Sequence, residues 1–439
     1  MDGRVLITSG DARTCLAAVR SLGRNRIEVK VGDEERMPLA GFSRYCRGVV
    51  RYPSPRSDPE RFFAFLSNHL RAERYEAVLP VEQDMFYLFS KRRDELGRLT
   101  RIPVTKFSTF QTAYDKALTF KAADGLGIPA PTTYFVESRA EVEELARRIP
   151  FPVVIKPRMG SGSRAVGYAA NATELLGIWQ EVHRVQPRPL IQERIPSGGE
   201  TIGVSVLFNS RSELRACFVH RRIREFPLSG GPSTLRESVS RPEIAKVAVR
   251  FLRELGWSGV AMVEFKVDPR DGVAKLIEVN PKFWGSLNLA IASGVDFPAL
   301  LYRTALDGDV TPVLEYRVGI RSRFFAGDLL HFLANPKRWR MEPPFFRFRE
   351  PGTFGDLWDS SDRLPGVAFP LILLWRGWRP GAVRHVLRRS KVERGISQQI
   401  EERDSDPSVP APPVIAATRR PRSASGGADS KSIAPTTSR

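Results

Sequence analysis

The first hundred residues alternate short apolar runs with longer stretches of helical periodicity. The runs RVLIT at Arg4–Thr8, Ile27–Val31 and AVLP at Ala77–Pro80 have the length and composition of buried strands. Helical patterns lie between and after them, at Cys15–Leu22, Phe62–Arg71 and Phe86–Leu96. Strands that alternate with helices predict a parallel α/β unit. We expect it to be a scaffold, or one wall of a substrate cleft at the carboxyl ends of its strands.

A hairpin is predicted much further along the chain. The segments Val260–Val267 and Ala274–Asn280 are rich in Val, Ile and Phe, and Arg270-Asp271-Gly272 lies between them. A three-residue loop that ends in glycine suits the left-handed position that such loops need. These two segments therefore predict paired antiparallel strands.

In that register Glu264 and Glu278 lie opposite each other, and Asn280 shares the face of Glu278 because side chains alternate along a strand. Like charges placed directly opposite are destabilising unless a cation lies between them. Oxygen ligands alone indicate a hard ion, Mg²⁺ or Mn²⁺, bound together with substrate phosphates. The alternative is a polar strand face that simply points to solvent.

Two lysines precede this hairpin. Lys156 ends the predicted strand Pro152–Lys156, and the loop residues Gly160, Ser161, Gly162 and Ser163 follow it. Backbone N–H groups of such a loop can cradle phosphates, with lysine as a point charge beside them. The alternative is an ordinary turn, and a P-loop motif is absent from the whole sequence. Lys116, in an earlier helical stretch, is by itself an ordinary surface lysine.

A strand at Leu190–Pro196 and a basic strand at Cys217–Phe226 carry further candidates. A strand end offers the carbonyl and N–H that an adenine edge requires, and a carboxylate a few residues on, such as Glu200, can bind ribose hydroxyls. Gln192 and Glu193 are otherwise ordinary edge residues. The basic strand carries Arg221 and Arg222. These arginines can clamp a carboxylate or an acyl phosphate; the alternative is that they form a solvated basic face.

In order and spacing, these pieces resemble the ATP-grasp superfamily of carboxylate–amine and carboxylate–thiol ligases. The shared elements are Lys116, Ile155-Lys156-Pro157 with its Gly/Ser loop, Ile191–Ile195 with Glu200, Val263-Glu264-Phe265, and Leu276–Pro281. The resemblance covers roughly residues 105–310. Within the superfamily, the stretch Asn280–Ser286 is similar to the single-chain branch related to carbamoyl-phosphate synthase and biotin carboxylase.

The resemblance implies a role for each matched position. Lys116 and Lys156 would hold nucleotide phosphates, and Gly160–Ser163 would close over them. Gln192 or Glu193, with the backbone of Ile195, would read adenine, and Glu200 would bind ribose. Glu264, Glu278 and Asn280 would ligate one or two Mg²⁺ ions. Many relatives carry arginine where this chain has Lys282, which keeps the charge but loses bidentate geometry.

Composition adds an outline of domains. The chain has 439 residues, and 42% of them are hydrophobic. A chain of this length is too long for one ordinary core. We expect an α/β and α+β multidomain protein. Its parts are an N-terminal parallel α/β domain at 1–104, a two-lobed ATP-grasp fold at 105–310 with its small lobe at about 120–195, a basic aromatic extension at 311–395, and a disordered tail at 396–439.

The formal net charge of +19 is concentrated beyond residue 315. The apolar run Val367–Trp378 is too short to span a bilayer but suits docking at an anionic membrane interface. The alternatives are a buried C-terminal helix and, least favoured because no known module is present, a nucleic-acid site. Three scattered cysteines and the lack of a leader predict a cytoplasmic location. The alternative location is the cytoplasm at the inner face of the membrane.

The predicted chemistry uses ATP and Mg²⁺ in two steps. A small carboxylate attacks the γ-phosphate to give an acyl phosphate and ADP, and an amine then displaces phosphate. One alternative is a carboxylase of the same fold that uses bicarbonate. Another is a basic peripheral membrane or nucleic-acid-associated protein with a non-catalytic ATP site. The sequence identifies neither substrate and sets no oligomeric state.

Overall fold

The computed structural model describes residues 3–160, 166–228, 230–348 and 350–377, without the side chains of 376 and 377. The predicted loop residues Ser161, Gly162 and Ser163 and the tail at 396–439 therefore lie outside the described residues. All described residues belong to one compact unit. The boundaries at 104 and 310 stay predictions.

The N-terminal residues form the predicted parallel α/β unit. Its sheet has the strand order β3-β2-β1-β4, and every neighbouring pair is parallel. Its elements in chain order are β1 Arg4–Ile7, α1 Arg13–Arg24, β2 Glu28–Asp33, β3 Cys46–Arg51, α2 Pro59–Ala72, β4 Ala77–Leu79, α3 Gln83–Lys91 and α4 Arg93–Gly97. The β1 side chains Val5, Leu6 and Ile7 are fully buried because helices cover the sheet.

A second sheet forms the small lobe predicted at about 120–195. Its strand order is β5-β8-β6-β7, and its pairs are antiparallel. The elements that reach it and build it are α5 Phe107–Tyr114, α6 Lys116–Gly125, β5 Thr133–Phe135, α7 Arg139–Ala146, β6 Val153–Lys156, β7 Gly167–Ala169, α8 Ala172–Val185 and β8 Leu190–Glu193. Its apolar core, with Val142, Leu175 and Trp179, is separate from the main core.

The third sheet is the largest and has the order β13-β12-β9-β10-β11-β14-β15. Its elements are β9 Thr201–Phe208, β10 Leu214–Glu225, β11 Ser233–Ser238, α9 Pro242–Glu254, β12 Gly259–Val267, β13 Ala274–Asn280, α10 Leu287–Ser293, α11 Phe297–Asp307, β14 Arg321–Arg323, α12 Phe325–Ala334, β15 Thr353–Gly355 and α13 Leu364–Gly377. The predicted hairpin is β12–β13 at one edge.

The hairpin register is confirmed, but the predicted length of its loop is wrong. Glu264 pairs with Glu278, as the alternation required. The last pair is Val267 with Ala274, so the loop runs over residues 268–273. The Asp268 carboxylate explains the wider turn, because it accepts hydrogen bonds from the Arg270 amide (3.0 Å) and the Lys275 ammonium (2.7 Å). Gly272 supplies the left-handed φ of 72° inside that turn.

The C-terminal segment is attached to the N-terminal sheet by buried ion pairs. Arg20 in α1 donates from Nε to Asp362 Oδ2 over 2.8 Å, and both side chains are almost fully buried. Arg13 contacts Asp356 over 2.5 Å. The aromatic extension predicted at 311–395 thus begins as part of the folded unit.

Helix α13 contains the apolar run that was predicted from Val367, up to residue 377. Ala368 is buried, whereas Val367, Leu371 and Leu374 are half or more exposed. The expectation of a buried C-terminal helix therefore holds for one face of α13 only. No helix in the described part of the chain is long and apolar enough to cross a membrane.

Removing the Asp362 side chain should destabilise the fold because it leaves the buried Arg20 charge with backbone carbonyls but without a carboxylate to balance it. We expect Asp362→Ala to lower the free energy of unfolding by about 3–5 kcal/mol. The matched control is Asp359→Ala, which removes the exposed ion pair with Arg24 in the same contact and should cost at most about 1 kcal/mol. Chemical denaturation measures both, and equal losses would contradict the role given to Arg20–Asp362.

Candidate active site

A cavity of about 810 Å³ lies where the edge hairpin, the small lobe and β10 meet. Most of the residues predicted from sequence line it: Lys116, Lys156, Gly160, Gln192, Glu193, Ile195, Glu200, Arg222, Glu264, Glu278, Asn280 and Lys282. They come from segments more than 150 residues apart in the chain. The structure therefore brings together the candidates that the sequence could only place in order.

The floor of the cavity is the face of the hairpin that carries Glu264 and Glu278. Glu264 is 6% exposed and contacts the guanidinium of Arg222 from β10. Oε2 of Glu278 lies 3.7 Å from Nζ of Lys116, and its Oε1 accepts a hydrogen bond from the Asn280 amide over 3.2 Å. The buried Glu264 and the partly buried Glu278 thus each have a cation from another element beside them.

The two opposed carboxyls have different proton affinities. Burial raises the pKa of Glu264 more than the Arg222 charge lowers it, and the Glu278 charge adds to the rise. Burial also acts to raise the pKa of Glu278, but the charges of Lys116, Arg222 and Lys156 outweigh it and hold that pKa below its usual range. Glu278 is therefore the carboxylate that keeps its negative charge.

The donor set fits a hard divalent cation. Two carboxylates and one amide oxygen on a single face are ligands that Mg²⁺ accepts, with phosphate oxygens and water completing its shell. Within the described ranges, no three His, Cys, Asp or Glu side chains cluster as an all-protein metal site would. Glu264, Glu278 and Asn280 can therefore hold a metal that arrives together with a polyphosphate.

Both predicted phosphate lysines line the cleft, as does Gly160. Lys116 begins α6, whose N-cap is Asp115, and its Nζ donates to the carbonyl of Gly160 over 2.6 Å. Lys156 ends β6, is 7% exposed and lies 5.0 Å from the ring centre of Phe120. Burial, and then the neighbouring charge of Lys116, lower the pKa of Lys156 to about 7. An anion in the cleft would restore its positive charge.

The predicted adenine-binding strand is β8, which lies between β5 and β6 in the sheet of the small lobe. Gln192 Nε2 donates to Thr133 Oγ1 over 2.7 Å, and Glu193 pairs with Arg270 of the hairpin loop. The carbonyl of Ile195 accepts a hydrogen bond from Lys266 Nζ over 3.1 Å. The Gln192 contact joins β8 to β5, and the other two join the end of β8 and the residues after it to the hairpin. The nucleotide roles of Gln192, Glu193 and Ile195 stay predictions.

The predicted ribose ligand Glu200 lies in an ion-pair network. It contacts Arg241 over 2.7 Å and Arg221 over 3.1 Å. Burial acts to raise the pKa of Glu200, but these two arginines bring it below its usual value. A ribose hydroxyl would find an ionised acceptor there.

The three residues predicted to act in catalysis do not all face the same cavity. Arg222 points into the cleft, where it also donates to the Gly231 carbonyl over 3.0 Å. Its neighbour Arg221 lies on the other face of β10, as strand alternation requires, and contacts Glu237 over 2.7 Å. Arg221 also lines a smaller pocket of about 470 Å³. Lys282 lines the cleft and donates to Glu82 Oε2 over 3.0 Å. Their catalytic roles stay predictions.

Several lining residues were not singled out from sequence. Arg13 and Glu82 follow the ends of β1 and β4, and His220 accepts or donates a hydrogen bond with Ser286 over 3.1 Å inside the cleft. Burial, then the charges of Arg222 and Arg236, lower the pKa of His220 to about 3, so this imidazole is neutral. The available signal was positional, because the carboxyl ends of parallel strands meet at one edge.

Residues 113–286 match the model of the ATP-grasp domain family. This part of the chain is an ATP-grasp domain. The match lies inside the range 105–310 over which the resemblance was predicted, and it contains the paired lysines and the hairpin carboxylates.

The chain is also similar to curated large chains of carbamoyl phosphate synthase. It is 25% identical over 284 residues to that of Rubrobacter xylanophilus, covering 58% of this chain and 27% of the relative. It is 27% identical over 207 residues to the large chain of Methanothrix thermoacetophila, covering 45% of this chain and 19% of the relative. The chain thus spans about a quarter or less of the length of these relatives.

Solved structures share the fold at low identity. A complex of Campylobacter jejuni biotin carboxylase with β-γ-ATP superposes with a TM-score of 0.62 at 14% identity, covering 73% of this chain and 74% of that one. A second structure is the biotin carboxylase domain of Hydrogenobacter thermophilus 2-oxoglutarate carboxylase in complex with MgADP and bicarbonate. It superposes with a TM-score of 0.60 at 16% identity, covering 73% of each chain. N5-carboxyaminoimidazole synthetase from Staphylococcus aureus superposes with a TM-score of 0.58 at 12% identity, covering 73% of this chain and 82% of that one.

Nucleotide binding should be coupled to protonation of Lys156. The pKa of Lys156 is about 7 in the free protein, so at pH 8 its amine is mostly neutral, and a nearby polyphosphate favours the charged form. We expect ADP without Mg²⁺ to bind with uptake approaching one proton. Calorimetry in buffers of different ionisation enthalpy measures this uptake.

Lys121→Met is the matched control for Lys156→Met. Lys121 also lies over an aromatic ring, 5.1 Å from the centre of Phe135, but it is exposed on α6. The uptake should disappear in Lys156→Met and persist in Lys121→Met. Unchanged uptake in Lys156→Met would show that another group takes the proton.

Proposed function

We propose that this protein is an ATP- and Mg²⁺-dependent ligase that activates a small carboxylate as an acyl phosphate and joins it to an amine. The observation that carries the proposal is the convergence of Lys116, Lys156, Glu264, Glu278 and Asn280 in one cleft of an ATP-grasp domain. Positive groups beside two metal-competent carboxylates suit phosphoryl transfer, which depends on positioning and charge.

Each part of the cleft has a proposed task. Mg²⁺ would neutralise phosphate charge when it is bound to the hairpin oxygens. Lys116 and Lys156 would position the β- and γ-phosphates by direct charge contact. Arg222, which contacts Glu264, and Lys282 also line the cleft and would face the carboxylate substrate and the oxygens of the acyl phosphate. We propose a cytoplasmic location, which stays a prediction.

A carboxylase that uses bicarbonate is the second candidate. It is favoured by the structural similarity to a biotin carboxylase domain in complex with MgADP and bicarbonate. The two candidates differ in what must be present for ADP release. The ligase requires an amine and an organic carboxylate, whereas the carboxylase requires bicarbonate.

A screen of carboxylates and amines for ATP-dependent phosphate release tests the proposal. Glu278→Gln should lower the rate by at least about a hundredfold because the ionised ligand on the floor of the cleft is lost. Glu243→Gln, an exposed first-turn residue of α9, is the control and should leave the rate unchanged. Normal turnover in Glu278→Gln would refute the metal site. Turnover with bicarbonate alone would favour the carboxylase.

Lys282 should act through its charge rather than through bidentate geometry. Its contact with Glu82 in the cleft wall is one that an ammonium satisfies as a point charge. We expect Lys282→Arg to retain at least a tenth of kcat and Lys282→Met to lose about a hundredfold. Equal losses in steady-state assays of both variants would mean that the shape of lysine matters as much as its charge.

A further inference from the structure

Four large aromatic side chains form one exposed surface at the start of α12 and in the segment that follows it. Their exposed fractions are 53% for Phe325, 74% for Trp339, 57% for Phe346 and 55% for Phe348. Ring centres of neighbours in this set lie about 6 Å apart: Phe325–Phe348 and Phe346–Phe348 at 6.0 Å, and Trp339–Phe346 at 6.0 Å. We name these four residues the aromatic surface. Contiguous exposed apolar patches of this kind mark interaction sites.

Buried contacts hold the aromatic surface in place. Beneath it, the rings of Phe332 and Phe345 stack at 4.6 Å, and both side chains are buried. Arg323 donates to the Phe345 carbonyl over 2.8 Å and lies 5.3 Å from the ring centre of Phe348. Arg323 is in turn paired with the fully buried Asp328 over 2.6 Å. The exposed rings are thus supported by a charged cluster inside the fold.

Helix α12 extends this apolar surface and also reaches the cleft. Leu329 and Leu333 are spaced four residues apart after Phe325 and are 36% and 48% exposed, which makes a stripe along one helix face. On the other side of the same helix, His331 and Asn335 line the active-site cavity. A partner that covers the stripe would therefore lie one helix diameter from the cleft.

The segment that carries most of the aromatic surface also carries exposed basic side chains. Lys337, Arg340 and Arg347 are exposed, against one exposed acid in the same segment, Glu342. A second copy of the chain would bring the same cations together, and the whole sequence already carries a net charge of +19. The charge pattern therefore calls for an anionic partner.

The apolar part of the surface distinguishes between anionic partners. Nucleic acids would use the aromatic faces for stacking, but the aliphatic Leu329 and Leu333 offer no such face. Aromatic and aliphatic side chains flanked by Lys and Arg are typical of segments that lie in the headgroup region of a bilayer. We propose that the aromatic surface docks on an anionic lipid bilayer and brings the mouth of the cleft close to it.

Sedimentation of the full chain with vesicles tests the docking. We expect binding to vesicles of phosphatidylcholine with phosphatidylglycerol and little to phosphatidylcholine alone. Trp339→Ser combined with Phe346→Ser, and separately Arg340→Glu combined with Arg347→Glu, should each weaken binding by at least about tenfold. The control is Phe135→Ser with Val185→Ser, which removes exposed apolar side chains of the small lobe, 41% and 71% exposed, and should leave binding unchanged.

Fluorescence quenching by brominated lipid locates the contact without depending on a disruptive variant. Trp339→Phe should keep vesicle binding but lose most of the quenching, since Trp339 is the exposed indole of the aromatic surface. Trp375→Phe is the matched control, because Trp375 is the exposed indole of α13, at 66%. The proposal is overturned if quenching is lost only in Trp375→Phe. It is also overturned if the chain binds no vesicles. A third contrary outcome is that Trp339→Ser with Phe346→Ser converts a dimer to a monomer and leaves vesicle binding unchanged.

Discussion

The structure depends on two carboxylates that strand pairing places opposite each other, one buried and one partly buried. Glu264 and Glu278 cannot both remain ionised there without cations nearby. The compensating charges come from three other elements: Arg222 from β10, Lys116 from the start of α6 and Lys156 from the end of β6. The position of the small lobe over the large sheet is therefore part of the electrostatics of the site.

This arrangement extends outward along β10. Arg222 faces the cleft, whereas Arg224 reaches the buried Asp328 of α12 over 2.6 Å and the carbonyl of Pro343 over 2.7 Å. One strand thus connects the carboxylates of the candidate active site to the helix that carries the aromatic surface. The N-terminal sheet joins from the opposite side through the pair Lys282–Glu82. The cleft is therefore bordered by every sheet that the structure describes.

Much of the fold could be predicted because it rests on local periodicity. The parallel unit followed from strands alternating with helices, and the opposition of Glu264 and Glu278 followed from the two-residue repeat of a strand. The loop of the hairpin was predicted too short, because the hydrogen bonds of the Asp268 carboxylate are not visible in a hydrophobic pattern. Arg13 and Glu82 were missed because only their positions after β1 and β4 mark them, and no motif surrounds them in the sequence.

The sequence by itself determined which side chains share a strand face and the order of the ATP-grasp elements. Both are properties of short segments, where the geometry of the backbone decides the outcome. The tertiary structure alone decided which distant charges meet: Lys282 with Glu82, 200 residues apart, and Arg20 with Asp362, 342 residues apart. It also decided that Trp339, Phe346 and Phe348 are presented outward, whereas Phe345 beside them is buried. Such contacts depend on how sheets and helices pack, and packing is specified by the whole chain rather than by any one segment.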